Sequence, residues 1–394
     1  MVWRRVLLLG LTSILVGACS GDSEGGTTSA TRQTTAAPST TVTGPGESTT
    51  AGPASTGPTP TAPTPTAPTP TGPASTVAGA GAAAITAPPR EPLPASELEL
   101  AAYPVPAGSR PHDVAPAADG GVWYTAQGSG ELGWLDPTTG ETRHIPLGPA
   151  SRPHGVIVGA DGTPWITDGG LNAIVAVDPA TDEVTSYPLP DDRPDANLNT
   201  ATFDGAGRLW FTGQNGIYGV LEPATGAMQV FDAPRGQGPY GTTTTPTGTV
   251  YYASLAGSYV GRIDEAGAVT VLEPPAQDQG ARRVWSDSTG AVWVSEWNSG
   301  QLSRYDPATE AWSAWRLPGD GPQPYAVYVD ERDSVWISDF GANALVRFDP
   351  TTEAFDVFPL PSSPGDVRQI LGRPGEVWGA ESAADQLVVM REAG

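Results

Sequence analysis

An aromatic residue returns seven times along the chain, at Trp123, Trp165, Trp210, Tyr251, Trp293, Trp336 and Trp378, with successive separations of 42, 45, 41, 42, 43 and 42 residues. A period near 42 predicts a repeat architecture, in which each unit buries its apolar face only against its neighbours. Within one period the chain reads as four short strands. Around Trp165 these are PHGVIVG, TPWITD, AIVAVD and EVTSYPLP, with alternating or β-branched character and turn residues between them. The first hairpin turn recurs as Asp119-Gly120, Asp161-Gly162, Thr289-Gly290 and Pro374-Gly375, where glycine supplies the positive φ of a tight turn. The second recurs as DPTTG, DPATD, DPATE and DPTTE from Asp136, Asp178, Asp306 and Asp349. Four antiparallel strands repeated radially predict an all-β fold, a seven-bladed β-propeller.

The two ends predict how the ring closes. The last repeat stops after its third strand, Gln386 to Met390, whereas Glu99 to Pro106 (ELAAYPVP) matches the outer strand EVTSYPLP at Glu183 to Pro190. The N-terminal segment is therefore expected to complete blade seven and remove an open sheet edge. This places the propeller at residues 96–394.

Residues 1–18 have the layout of a secretory signal, with Arg4 and Arg5 before an apolar run from Val6 to Val16. That run is too short to span a bilayer as a mature helix. Val16-Gly17-Ala18-Cys19 resembles a bacterial lipobox, and Cys19 is the sole cysteine. The expectation is a lipoprotein: a lipidated Cys19, export, and anchoring to the outer face of the bacterial cell membrane, where more than one acyl chain is needed for stable attachment. Residues 19–95 are dominated by Thr, Pro, Ala, Gly and Ser, as in TPTAPTPTAPTPTGP from Thr59. Such a segment lacks the apolar surface to offset its ordering entropy and predicts a disordered, partly polyproline stalk. Extended at about 3.1 Å per residue, it would reach on the order of 200 Å.

Composition removes several chemistries. All 20 basic residues are arginine, so a Schiff-base lysine and a P-loop are excluded. With one cysteine, spent on the lipid, there is neither a disulfide framework nor a thiol nucleophile. A formal charge of −23 argues against nucleic acid as a partner. A monomer is expected.

In an antiparallel blade, the start of the innermost strand and the end of the second share one edge, so these positions from all blades converge on one mouth of the central channel. Eleven residues before each repeat aromatic stand His112, His154, Asn199, Tyr240, Arg282, Tyr325 and Val367. Three residues after it stand Ala126, Asp168, Gly213, Ser254, Glu296, Asp339 and Glu381. Equivalent positions that are polar and mixed in type read as a binding site. Asp168, Glu296, Asp339 and Glu381 are candidate ligands for Mg²⁺ or Ca²⁺. Tyr240, Arg282, Tyr325 and Asn199 are candidate ligand-binding residues, with Trp297 and Phe340, which directly follow two of the acids, as stacking surfaces. The seven repeat aromatics read as core between blades.

The PHG start (Pro153-His154-Gly155), the strand ends Trp165 to Asp168, Trp293 to Glu296 and Trp336 to Asp339, and the YPLP outer strands resemble the virginiamycin B lyase, or streptogramin lyase, family. The resemblance covers the propeller alone. It implies seven blades and an elimination that opens a cyclic depsipeptide antibiotic at its ester, with Mg²⁺, a histidine base and acidic ligands. Carried over blade for blade, the family's substrate-contacting histidine falls on Tyr325, its base histidine on Val367, the acid two residues earlier on Gly365 and the second metal acid on Glu381. Shifted by two blades, these positions fall on Tyr240, Arg282, Gly280 and Glu296. Neither register supplies a histidine.

Two functions of different class are therefore expected to compete. One is a surface-displayed propeller that binds a small molecule, a peptide or a cell-envelope protein at the channel mouth without lyase chemistry. The other is a metal-dependent lyase whose site has moved to His112, His154 and Asp168, where His154 and Asp168 keep the family's fourteen-residue spacing. A six-bladed lactonase of the gluconolactonase type is disfavoured by the count of seven. If both imidazoles and the Asp168 carboxylate share one cavity, the enzyme gains weight.

Overall fold

Strands of four to seven residues form where the repeat sets β-branched and aromatic residues between turn residues. A computed structural model describes residues 91–393. The signal sequence, Cys19 and the Thr/Pro-rich segment up to residue 90 lie outside the described residues. The described chain forms seven four-stranded antiparallel sheets. In blade one the strands are Pro111–Pro116, Val122–Ala126, Glu131–Leu135 and Thr142–Pro146, from the centre outwards. Among the described residues no helix is long and apolar enough to cross a membrane.

The turn chemistry is uniform around the ring. Gly120, Gly162, Gly207, Gly248, Gly290 and Gly375 carry the positive φ of the first hairpin, and Asp333 takes the place of glycine in blade six. Blade seven is closed as expected: Leu98–Pro104 pairs antiparallel with Gln386–Glu392 over seven residue pairs, from Leu98↔Glu392 to Pro104↔Gln386. Ahead of that strand, the carbonyls of Glu91 and Leu93 accept hydrogen bonds from Arg332 and Arg347 of blade six.

The core is divided into seven parts, each shared by two adjacent blades. Trp123 packs with Val156 and Ile166, Trp165 with Leu198 and Phe211, and Trp293 with Val327 and Ile337. Trp378 of the last blade packs with Val114 and Tyr124 of the first, which completes the ring. All seven repeat aromatics are buried. Several indoles are also pinned by a carboxylate at the first hairpin: Trp210 donates to Asp204, Trp293 to Asp287, Trp336 to Asp330 and Trp378 to Glu376. Trp293→Ala is therefore expected to cost about 3–5 kcal/mol, through the lost apolar burial and the lost indole hydrogen bond to Asp287. Half-buried Trp297 should cost only about 1 kcal/mol on truncation. Urea unfolding of the two variants measures this difference, and equal losses would mean that the inter-blade core has been misassigned.

Candidate functional site

Every blade brings the predicted positions to one edge: Pro111 faces Ala126, Pro153 faces Asp168, Ala281 faces Glu296, Pro324 faces Asp339 and Val367 faces Glu381. Immediately after this pair the innermost strand of all seven blades carries a β-bulge. The extra residue breaks the alternation, so two consecutive side chains per blade are re-aimed. The pairs are His112-Asp113, His154-Gly155, Asn199-Thr200, Tyr240-Gly241, Arg282-Arg283, Tyr325-Ala326 and Arg368-Gln369. Val367 is thus not the seventh member of the inner ring, as the count of eleven residues implied. The first hairpin of blade seven is one residue shorter, and Arg368 holds the position equivalent to His112.

The Thr or Ser of the strand-end motif holds these bulges in place. Thr125 Oγ1 accepts the Asp113 amide and donates to the carbonyl of His154 in the next blade, at 2.9 and 2.8 Å. Thr167 does the same for Gly155 and Asn199, and Ser295 for Arg283 and Tyr325. One hydroxyl therefore fixes the bulge of its own blade against that of its neighbour.

The four rim acids have another use. Asp168 accepts the Ser151 hydroxyl and the amides of Arg152, Gly170 and Leu171. Asp339 accepts the amides of Gln323 and Gly341. Glu296 accepts the hydroxyls of Ser299 and Ser303, and Glu381 the Gln386 amide group. Burial pushes the carboxyls of Glu296 and Glu381 up, opposed by those donors. Each acid organises its own loop, and the structure does not gather Asp168, Glu296, Asp339 and Glu381 into one ligand set. Among the described residues, the group of metal-capable side chains within reach of one another is His112, Asp113 and His154, whose ligand atoms lie within 4.8 Å of one another.

The side chains from the bulges meet across the axis, since contacts join blades that are not adjacent. Arg283 of blade five reaches Asp113 of blade one at 3.2 to 3.5 Å, and the Tyr240 and Tyr325 hydroxyls of blades four and six share a hydrogen bond. The His112 and His154 rings lie 3.8 Å apart between centroids. His154 Nδ1 donates to the Asn199 carbonyl and His112 Nδ1 faces the Asp113 carboxylate, which fixes both tautomers with Nε2 as the lone-pair nitrogen of the neutral ring. Burial, then the charges of Arg368, Arg283 and Arg282, hold His112 well below the usual histidine range. Burial and His112 do the same to His154, with Asp113 opposing. Both rings are neutral near pH 7. Asp168 has no place in this pair, so the predicted His112, His154 and Asp168 constellation does not assemble, and Asp113 stands beside the imidazoles instead. Burial pushes the Asp113 carboxyl up and the Arg283 charge opposes it.

Beside the histidines, five of the six expected ligand-binding side chains form one cluster. The Arg282 guanidinium lies 3.5 Å from the Tyr325 ring centroid and 4.7 Å from those of Tyr240 and Trp297. Phe340 stacks on Tyr325 at 4.8 Å and meets Trp297 edge-on at 5.5 Å. Asn199 lies apart from this stack, with its Oδ1 accepting from Thr200 and its carbonyl from His154. Asp113, Arg283 and Arg368 were missed from the sequence. The available signal was a second polar residue directly after the strand start, as in His112-Asp113 and Arg282-Arg283.

The magnesium implied by the resemblance does not fit these residues. Mg²⁺ needs several oxygen ligands in near-octahedral array, and only Glu381 is retained. The position of the other acid is Gly365, which has no side chain to offer a metal; a Cβ there would meet the side-chain ends of Leu360 at 2.7 Å and Glu381 at 3.0 Å. Arg368 stands next to the strand start, adding positive charge where a cation would bind.

Residues 149–394, more than half of the chain, match the sequence profile of the virginiamycin B lyase family. No curated protein matches the chain in sequence. Among solved structures it is similar to virginiamycin B lyase from Staphylococcus aureus, at 19% identity and a TM-score of 0.70, covering 75% of this chain and 100% of that one. It is also similar to YCF48 bound to D1 peptide, at 14% identity and a TM-score of 0.59, covering 77% and 99%. A third likeness is the extracellular domain of the hybrid two-component system BT4673 from B. thetaiotaomicron, at 17% identity and a TM-score of 0.60, covering 74% and 42%. At these identities the structural likenesses carry the fold alone. The profile match spans blades two to seven and agrees with the seven-bladed ring, so the chain belongs to the virginiamycin B lyase family.

Proposed function

We propose that this protein is an exported, lipid-anchored propeller that binds a small-molecule or peptide ligand, or a cell-envelope protein, at the mouth of its channel, without the elimination chemistry of its family. The observation that carries this reading is the cluster of Arg282, Tyr240, Tyr325, Trp297 and Phe340, in which three blades converge on one guanidinium at the mouth where the family's histidines would stand. Side chains of this type supply stacking and hydrogen bonding, and none is an ordinary base near pH 7. A propeller bound to D1 peptide and the extracellular domain of a hybrid two-component system among the structural neighbours agree with a ligand or protein partner and with export. Anchoring through Cys19 follows from the lipobox resemblance.

The rival reading, a relocated enzyme site, is supported by two neutral imidazoles in contact, with Asp113 in place of Asp168. A metal there would compete with Arg283 for Asp113 and sit among guanidinium charges, and Mg²⁺ or Ca²⁺ at the rim would have to pull acids from their loop hydrogen bonds. The test is a thermal-shift screen of small molecules, peptides and divalent metals on the full chain. The expected hits are organic ligands whose shift disappears in Tyr325→Phe or Trp297→Ala and persists in Arg143→Gln on an outer strand. Hits indifferent to the mouth substitutions, or a shift with metal alone that His112→Gln removes, would overturn the reading.

A further inference from the structure

Two tyrosines and one arginine from three different blades meet beneath the mouth. Tyr240 of blade four and Tyr325 of blade six share a hydrogen bond between their hydroxyls, and Arg282 Nη2 of blade five donates to the Tyr240 oxygen at 3.3 Å. The same guanidinium lies 3.5 Å from the Tyr325 ring centroid and 4.7 Å from that of Tyr240. All three side chains are nine-tenths or more buried. A guanidinium stays protonated, so a full positive charge is held out of water here, and ring faces offset only part of that cost.

The hydrogen bonds do not balance while both phenols keep their protons. Each hydroxyl brings one proton. One of the two bridges the oxygens and Arg282 adds a further donor, so the second phenol proton needs another acceptor. Among the described residues no carboxylate, imidazole or carbonyl accepts it. Asp113 is engaged by Arg283 and His112. The rim oxygens Asp339 Oδ2 and Glu381 Oε1 are themselves without a partner, so neither hydroxyl reaches them. A buried donor left unpaired is costly. Loss of that one proton removes the donor and creates a negative charge against the guanidinium.

We infer that Tyr240 and Tyr325 act as one proton-sharing pair that releases a single proton to solvent, keeps the other between its two oxygens, and so supplies the counter-charge of Arg282. This goes beyond the reading of the mouth as a ligand site and depends on no ligand. The retained proton is donated by Tyr240 to the Tyr325 oxygen, which places the charge on Tyr325. The surrounding field agrees: burial pushes the Tyr325 phenol up, but the charges of Arg282, Arg368 and Arg283 outweigh burial and hold it below its ordinary value. Burial and then Tyr325 push Tyr240 up, with Arg282 and Arg283 opposing. Asp113 and the rim acids Glu296, Asp339 and Glu381 work against ionisation from a greater distance, and His112 and His154 are neutral. Phe340 stacks on the Tyr325 ring at 4.8 Å and Trp297 meets it edge-on at 5.7 Å, so the pair lies directly under the aromatic wall of the mouth. Acid returns the proton and leaves Arg282 uncompensated beneath that wall. A group that ionises more readily folded than unfolded adds stability that grows as pH rises and is complete above its ordinary value of about 10.

The test is a pH titration of the full chain followed by tyrosinate absorbance, with carbon-13 at tyrosine Cζ read by NMR. One of the 11 tyrosines is expected to ionise at least about one pH unit ahead of the others. The Cζ resonances of two tyrosines should move at that same midpoint. The early step should vanish in Tyr325→Phe and move up by about one pH unit or more in Arg282→Gln. Wild type should gain stability over Tyr325→Phe as the pH is raised towards about 10. If neither variant folds, the paired resonances of the wild-type chain still decide. The absence of a tyrosine that ionises early, an early step kept in Tyr325→Phe, or one that Arg282→Gln leaves in place would overturn the inference.

Discussion

Deletion of residues 97–106 should leave a protein that aggregates or loses about 5 kcal/mol or more of stability, a large part of what a domain has. The segment supplies the outer strand of the last blade, with Leu98 and Leu100 packed on the core between blades six and seven and Tyr103 on that between seven and one. Val105 continues the seal: it is buried and its amide donates to the Asp385 carbonyl. Asp385 in turn accepts the amides of Gly108 and Arg110, so the entry into blade one is tied to the last turn of blade seven. Without the strand, Gln386–Glu392 becomes an open edge with unpaired backbone groups, a template for pairing with other chains. Size-exclusion chromatography and denaturant unfolding measure the effect. Deletion of residues 22–90, chosen on composition, should leave the melting temperature nearly unchanged, and the reverse pattern would sink this account of closure.

Much of this was legible because a propeller repeats its physics. The spacing from Trp123 to Trp378, the glycines of the first hairpins and the match of ELAAYPVP to EVTSYPLP each encode a local requirement: an inter-blade indole, a positive φ, an outer strand. The site was less legible for three reasons. A β-bulge leaves no periodic mark when the residues around it are already polar, so Asp113 and Arg283 were passed over in favour of one position per blade. The shorter hairpin at Pro374-Gly375 displaced the count by one and put Val367 where Arg368 belongs. An acid at the end of a second strand looks the same in sequence whether it faces a channel or caps a loop. Asp168 and Asp339 cap loops, and the small residues after them, Gly169-Gly170 and Gly341, were the signal, since an acid collects successive amides most readily over glycine.

Incubated with a streptogramin B antibiotic and Mg²⁺, the full chain is expected not to linearise it at a rate comparable with the family's enzymes. Opening the ring by elimination requires a base to take a proton beside a carbonyl and a positive charge to receive the developing enolate. The position of the base is Val367 by residue count, Arg368 by strand register and Arg282 if the site is shifted by two blades. Valine has no titratable group, and a guanidinium stays protonated at any pH of interest. Loss of a general base alone removes about 10² to 10⁴ in rate. The metal acid two residues earlier is missing as well, since Gly365 stands there and only Glu381 is retained. The imidazoles of His112 and His154 are neutral and therefore competent in principle, but they lie buried beside Arg283 and its carboxylate partner. Elimination leaves the mass unchanged, since the carbon beside the carbonyl gives up a proton, the ester C–O bond breaks and the two ends become an alkene and a carboxylic acid, which fragmentation in the mass spectrometer distinguishes from the intact ring. Ring opening abolished by His154→Ala would transfer the function to the relocated histidine site. Ring opening that survives His112→Ala and His154→Ala together would mean that this account of the chemistry is wrong.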